Sequence, residues 1–217
     1  DRVLGGRSTI TGRDLKKQSS QLYLDGRGNR IAFFPDIEDS VSVSFLGDNN
    51  FVSIGRRVSV GKLRIHCGRN VFCSIGEGTE IEGAEFIATD GRIEVGQDCL
   101  FSTEVTLRNH DKHHIFDSNT GERINHSGNI KIGNHVWICH GVTLLGSASV
   151  GDNSVVGTMA VTSSTFPKEV VLAGNPAKII RRNVCWSKDN TDYYNRDSLS
   201  QCMAQEALKY MARESRD

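Results

Sequence analysis

The sequence predicts an all-β solenoid, a parallel β-helix of short strands, with an N-terminal β segment, one long inserted loop and a C-terminal helix. Three observations carry this. Apolar residues recur every six positions through the second half of the 217-residue chain. Glycine, asparagine and aspartate fall between them, where a chain that changes direction needs permissive backbone. The metre stops once, for the 24 residues between Leu107 and Ile132, in a stretch rich in histidine.

Residues 21–34 (QLYLDGRGNRIAFF) are two β-rich runs around Asp-Gly-Arg-Gly-Asn, a pattern that predicts a hairpin capping the first coil. From Ile132 the chain reads IGNHVW, ICHGVT, LLGSAS, VGDNSV, VGTMAV. Ile132, Ile138, Leu144, Val150 and Val156 hold the first positions; Val136, Val142, Ala148, Ser154 and Ala160 hold the fifth. Earlier the metre slips: Ile54 and Val60 are in phase, as are Ile75, Ile81, Ile87 and Ile93, and then Val95, Phe101 and Leu107. A helix places apolar residues every three or four positions and an amphipathic strand every second one, so period six fits neither alone. It fits three short faces per coil, with side chains pointing into a prism and coils stacked at the sheet spacing of about 4.8 Å. Near the C-terminus Ser198-Leu-Ser-Gln201 is a capping-box pattern ahead of a helix over about residues 199–214, with Leu199, Met203, Ala207 and Tyr210 on one face. The expected units are a cap (1–40), the β-helix (41–185, loop at 108–131) and a helical extension (186–217).

Lys+Arg (26) balances Asp+Glu (26), so no net field draws the chain to nucleic acid or an anionic membrane. A 37% apolar content with 22 Gly suffices for a packed core. No run approaches the roughly 18 apolar residues of a membrane span, and no basic-then-apolar leader follows Asp1. The six cysteines (67, 73, 99, 139, 185, 202) form no C-x-x-C pair; they read as buried or idle thiols of a reducing cytoplasm, although an even count leaves bridges open.

The interruption holds His110, His113, His114 and His126, with His135 and His140 just after it: six of the seven histidines. Loops of this length in a compact domain are usually functional or disordered. An imidazole titrates near neutrality, which suits proton removal from an attacking alcohol.

Asp111-Lys112-His113-His114-Ile115-Phe116-Asp117 resembles the D-x-H-x-I-[FY]-D loop of sugar O-acetyltransferases among the hexapeptide-repeat acyltransferases. Ile132-Gly133-Asn134-His135-Val136-Trp137-Ile138 resembles their I-G-x-x-V-W-I-G element, and Phe166-Pro167 with Ala173-Gly174-Asn175-Pro176-Ala177-Lys178 resembles their closing G-N-P-A-K signature. The likeness covers about residues 41–185 and is strongest over 105–182. It implies a left-handed β-helix, a homotrimer with active sites between adjacent prisms, and transfer from acetyl-coenzyme A to a sugar hydroxyl of a surface polysaccharide, with no metal. It implies His113 as general base; proton-transfer chemistry adds Asp111 or Asp117 as a group to orient the ring, with a plain turn role for Asp111 equally open. Trp137, His140, Thr158, Ser163, Lys178 and Arg181 fall on the coenzyme side, with Arg182 and Lys168 as further cations; Asn109 and Asp117 fall beside the sugar. His110 and His126 receive no role. Two departures stand out: Val161-Thr162-Ser163-Ser164 lacks the lysine of the family's V-V-T-K, and Cys139-His140 replace the usual glycine and polar residue after the tryptophan.

Other functions remain open. An antibiotic acetyltransferase would share the fold. His135-x-x-x-x-His140-Gly141 has the H-x4-H-G spacing of γ-type carbonic anhydrases, but both histidines sit one hexapeptide position later than those ligands do. A non-catalytic carbohydrate-binding β-helix would need neither the loop nor the G-N-P-A-K signature.

Overall fold

The structure is a computed structural model that describes residues 2–4, 8–11, 21–33 and 40–188. Its strands form a three-sided prism wound left-handed. The first face has nine strands, including Val71–Ile75, Gly91–Val95 and Asn129–Ile132; the second has seven, including Lys62–Cys67, Ala84–Ala88, Val105–Arg108 and Thr143–Leu145. The third face, also of seven, includes Leu100–Phe101, Trp137–Ile138, Val155–Val156, Val170–Ala173 and Lys178–Arg182. Pairing is parallel except at two ends, where Arg2–Leu4 meets Ser8–Thr11 and Val170–Ala173 meets Lys178–Arg182. The chain turns its corners with positive φ at Asn49, Asn70, Asp90, Asp98 and Asn153, residue types that tolerate that region.

All ten first and fifth positions of the hexapeptide run are buried, from Ile132 to Ala160. Here a coil takes 18 residues, as from Asn134 to Asp152, and the last one shortens to 16, as from Ser149 to Thr165. The earlier slips have a different cause: coils there take 20 to 22 residues, with strands of up to seven that alternate buried and more exposed side chains. This corrects one expected core position. Ile87 faces outward, because Ala84, Phe86 and Ala88 are the inward residues of its strand. Phe45, Phe86 and Phe101 are the largest side chains of the core and have no exposed surface.

The expected N-terminal hairpin is also corrected. Gln21–Asp25 pairs in parallel with Ser40–Leu46 on the second face, and Arg30–Phe33 pairs in parallel with Phe51–Ile54 on the first. The two runs are successive sides of one coil, and Gly26 and Gly28 form its corner at positive φ. The helix expected over 199–214 lies outside the described residues. Among the described residues no helix is long and apolar enough to cross a membrane. Cys67, Cys73 and Cys99 are free and buried and Cys139 is free and half-buried, as expected of idle thiols; Cys185 departs from that reading, being disulfide-bonded.

Candidate active site

The long loop is an ordered arm that leaves the prism at the vertex between the second and first faces. In earlier coils this vertex is held by buried asparagines: Asn50 Nδ2 donates to Asn29 Oδ1 (3.0 Å) and to the carbonyl of Gly68 (2.9 Å). Asn109 repeats the device at the root of the arm. Its Nδ2 donates to the carbonyls of Thr89 (3.1 Å) and Gly128 (2.9 Å), and its Oδ1 accepts from the Thr89 N–H (3.0 Å). Asn109, expected beside the sugar, is thus fully buried with its amide committed to backbone.

Beyond the root the arm folds back on itself. The Ile124 N–H donates to the Ile115 carbonyl (2.9 Å), Phe116 bridges Arg123, and Asp117 Oδ1 accepts the N–H groups of Asn119 (2.7 Å) and Thr120 (2.9 Å). Those two backbone bonds hold the Asp117 carboxyl below its ordinary range. Asp117 therefore closes the arm's own turn. Asn125 is the strut: its Nδ2 donates to the His113 carbonyl (2.8 Å) and Asp111 Oδ2 (3.0 Å), while its Oδ1 accepts from the Ile115 N–H (2.8 Å). Asn125 thus ties the backbone at and after His113 to the side chain two residues before it. Its imidazole is exposed and has no hydrogen-bond partner among the described residues, so neither Asp111 nor Asp117 orients it within one chain.

Beneath the arm, against the second face, lies a cleft of about 770 Å³. Its floor includes an outward column that successive coils hold in register, His66, Ile87 and Arg108. His110, Asp111, Lys112, His114 and Arg123 of the arm overhang it. Glu85 in the floor is bonded by Arg64 (3.0 Å) and lies 3.4 Å from His66 Nε2. Asp90 accepts from Asn70 (2.9 Å) and Arg69 (3.1 Å); the Asn70 bond above all, aided by the Arg69 guanidinium, holds its carboxyl below the usual range. None of these floor residues was a candidate from sequence. The signal that marks them is the 21-residue coil length, which aligns positions 66, 87 and 108.

The residues expected along coenzyme A lie elsewhere. Trp137 projects from the third face, 37% exposed. It shares one outward row with Val155, Val171 and Arg181, which spans about 14 Å at the usual strand spacing. Lys178, Arg181 and Arg182 are exposed at the end of this face, and Lys168 is paired with Glu169 (2.8 Å). His140 and Thr158 occupy the corner beyond Trp137, where His140 Nδ1 is 2.8 Å from Thr103 Oγ1; Ser163 is exposed at the vertex that carries the arm. Burial raises the Cys139 thiol, away from nucleophilic use. Sequence reasoning missed Trp186, which stacks on His135 (4.2 Å between centroids, 10° apart), leans on Trp137 (5.8 Å) and donates Nε1–H to the His135 carbonyl (2.8 Å). His135 Nε2 in turn lies 3.0 Å from the Trp186 carbonyl, so the ring behind the carbonic-anhydrase alternative is engaged with Trp186.

The vertex that carries the arm is opposite the third face of the same prism. One chain therefore holds His113 and Trp137 apart.

No family model matches the chain. A polysialic acid O-acetyltransferase of Neisseria meningitidis is 31% identical over 188 residues, covering 86% of this chain and 78% of that protein. A polysialic acid O-acetyltransferase of Escherichia coli O1:K1 / APEC is 32% identical over 115 residues; the match takes in 52% of this chain but only 38% of that longer protein. Among solved structures, the polySia-specific acetyltransferase NeuO superposes with a TM-score of 0.87 at 30% identity, covering 94% of this chain and 88% of that one.

Proposed function

Since the chain belongs to the hexapeptide-repeat acetyltransferases, we propose that it transfers an acetyl group from acetyl-coenzyme A to a sugar hydroxyl of a surface polysaccharide or its precursor. The observation that carries this reading is His113, a free imidazole on a backbone clamped by Asn125. In the reaction the imidazole takes the hydroxyl proton as the sugar oxygen attacks the thioester carbonyl. The tetrahedral intermediate collapses, the C–S bond breaks, and the imidazolium returns its proton to the departing thiolate. A C–O bond replaces a C–S bond, and no acyl-enzyme is needed.

The coenzyme lies along the third face of a neighbouring copy. Its pantetheine arm passes Trp137, and its phosphates meet Arg181 and Lys178, the cations at the far end of the same face. The topology supports this division, because an arm opposite its own third face completes a cleft only with another prism. Ile115 (52% exposed), Phe116 (56%) and Ile124 (61%) give the arm an apolar surface for that contact. A closed ring of three copies makes three equivalent clefts. The reaction is placed in the cytoplasm, where acetyl-coenzyme A is supplied.

The test is transfer of labelled acetyl from acetyl-coenzyme A to panels of saccharides and antibiotics. Acetylated saccharide with intact antibiotics is the expected result. Transfer to antibiotic alone would replace this reading with the xenobiotic one.

A further inference from the structure

We propose that Trp186 is a positioning residue of the third face: it holds the Trp137 indole in place, so that acetyl-coenzyme A meets a preformed wall. This rests on the acyl-transfer reading above, which lays the pantetheine arm past Trp137, and adds to it a residue that acts through another.

After the strand Lys178–Arg182 the chain turns back along the vertex between the third and first faces, towards the N-terminal coils. The Val184 N–H donates to the Glu169 carbonyl (3.2 Å), and Trp186 meets His135. Lys188 Nζ then donates to the Gly78 carbonyl (3.1 Å) and to Glu80 Oε1 (2.8 Å). Glu169, His135 and Gly78 are corner residues of three different coils, all at positive φ. Residues 183–188 are therefore a strap laid across the edge of the third face.

The contact at His135 is reciprocal. Trp186 Nε1–H donates to the His135 carbonyl (2.8 Å), and His135 Nε2 lies 3.0 Å from the Trp186 carbonyl. A carbonyl only accepts, so that ring nitrogen carries the proton. The two rings stack with centroids 4.2 Å apart. His135 has a φ of 52°, in a region that few side chains occupy. Its ring and carbonyl are held by Trp186, and its N–H by the Gln97 carbonyl (2.8 Å). Val136 beside it is buried and Trp137 points outward, so the corner that Trp186 clamps sets where the second indole stands. Trp186 also leans on that indole directly, at 5.8 Å and 38°, within the range of favourable aromatic pairs.

Exposure divides the work between the rings. Trp186 is 8% exposed and presents almost nothing to a ligand, whereas Trp137 keeps open surface in the row it shares with Val155, Val171 and Arg181. An unsupported outward indole loses rotamer freedom when a ligand orders it; one already held does not. Trp186 is not among the side chains of the prism core, so its bonds serve the face rather than the coils.

The chain has two tryptophans, so the pair is read one indole at a time. Coenzyme A is titrated into the full chain, followed by calorimetry and tryptophan emission, for wild type, Trp137→Ala, Trp186→Ala and Trp186→Phe, with kinetics and melts alongside. Trp186→Ala should fold and should weaken coenzyme A binding about 3- to 10-fold, the cost of ordering one side chain on binding. Its Michaelis constant for acetyl-coenzyme A should rise in step, while saturated turnover and the acceptor constant hold. Trp186→Phe, which keeps a ring on His135, should recover most of that loss, and its remaining indole should still change emission when coenzyme A binds. A lower melting temperature in Trp186→Ala with unchanged coenzyme affinity would overturn the proposal, because Trp186 would then be structural only. Failure of Trp186→Ala to fold, or no recovery in a folded Trp186→Phe, would also overturn it. Trp137→Ala separates the two readings. Weakened binding there, beside wild-type affinity in Trp186→Ala, refutes the role of Trp186 alone; wild-type affinity in Trp137→Ala refutes the placement of the coenzyme on this face, and the proposal with it.

Discussion

The prism and the arm are built by opposite means. In the prism, side chains such as Phe45, Phe86 and Phe101 retain no exposed surface, and each buried aromatic removes a large apolar area from water at about 25 cal/mol per Å². In the arm, Ile115, Phe116 and Ile124 are more than half exposed, and order comes from polar struts: Asn109 at the root, Asn125 behind His113 and Asp117 at the turn. The prism satisfies itself. The arm uses its hydrogen bonds for shape and leaves its apolar surface exposed, so stability and chemistry are separable by mutation.

The largest expected effect on folding is in the prism. Phe101→Ala should cost about 3–5 kcal/mol, read as a lower denaturation midpoint, while turnover per folded molecule holds. A loss of turnover without a loss of stability would break the comparison. Asn109→Ala sits at the junction. It leaves two backbone carbonyls and one N–H unmet and should cost about 2–3 kcal/mol, lowering stability and turnover together. A change in turnover alone would return Asn109 to the sugar site. Phe116→Ser should barely move the melting temperature of the isolated chain but should weaken assembly, seen as a smaller mass in sedimentation and as activity that falls on dilution.

The smallest effect is at Asp117. Its folded carboxyl titrates below the ordinary range, so its contribution is complete above the unfolded value of about 4. That contribution is lost as pH falls through the lower folded value. Asp117→Ala should therefore speed exchange of the Asn119 and Thr120 amides at neutral pH. The arm of wild type should keep its order between pH 5 and 8. Amide protection that declines within that window would point to a titrating histidine instead.

Much of the prism was legible because period six records a physical constraint, one inward side chain at each end of a short strand. The ten positions from Ile132 to Ala160 meet that constraint without exception. Where strands lengthen, period two takes over inside a longer coil, and Ile87 then falls outward although it keeps step with Ile81 and Ile93. The runs at 21–25 and 30–33 read as a hairpin because local sequence reports only a turn between two strands. Their parallel partners lie a full coil away, as Phe51 does from Arg30. The arm was legible as an interruption, and its motif singled out His113. The floor of the cleft stayed invisible, since the alignment of His66, Ile87 and Arg108 depends on the coil length. The separation of His113 from Trp137 within one chain was implied by the family resemblance but not by the residues themselves, because it depends on which vertex of the prism the loop leaves.

The division of labour between arm and prism is tested most directly by paired kinetics and thermal melts of His113→Ala and His114→Ala. Loss of positioned proton transfer costs about 10²–10⁴ in turnover. His113→Ala should lose that much with an unchanged melting temperature and intact acetyl-coenzyme A binding, and His114→Ala should lose far less. If His114→Ala abolished turnover while His113→Ala retained it, the base would not be His113 and the central claim would be contradicted.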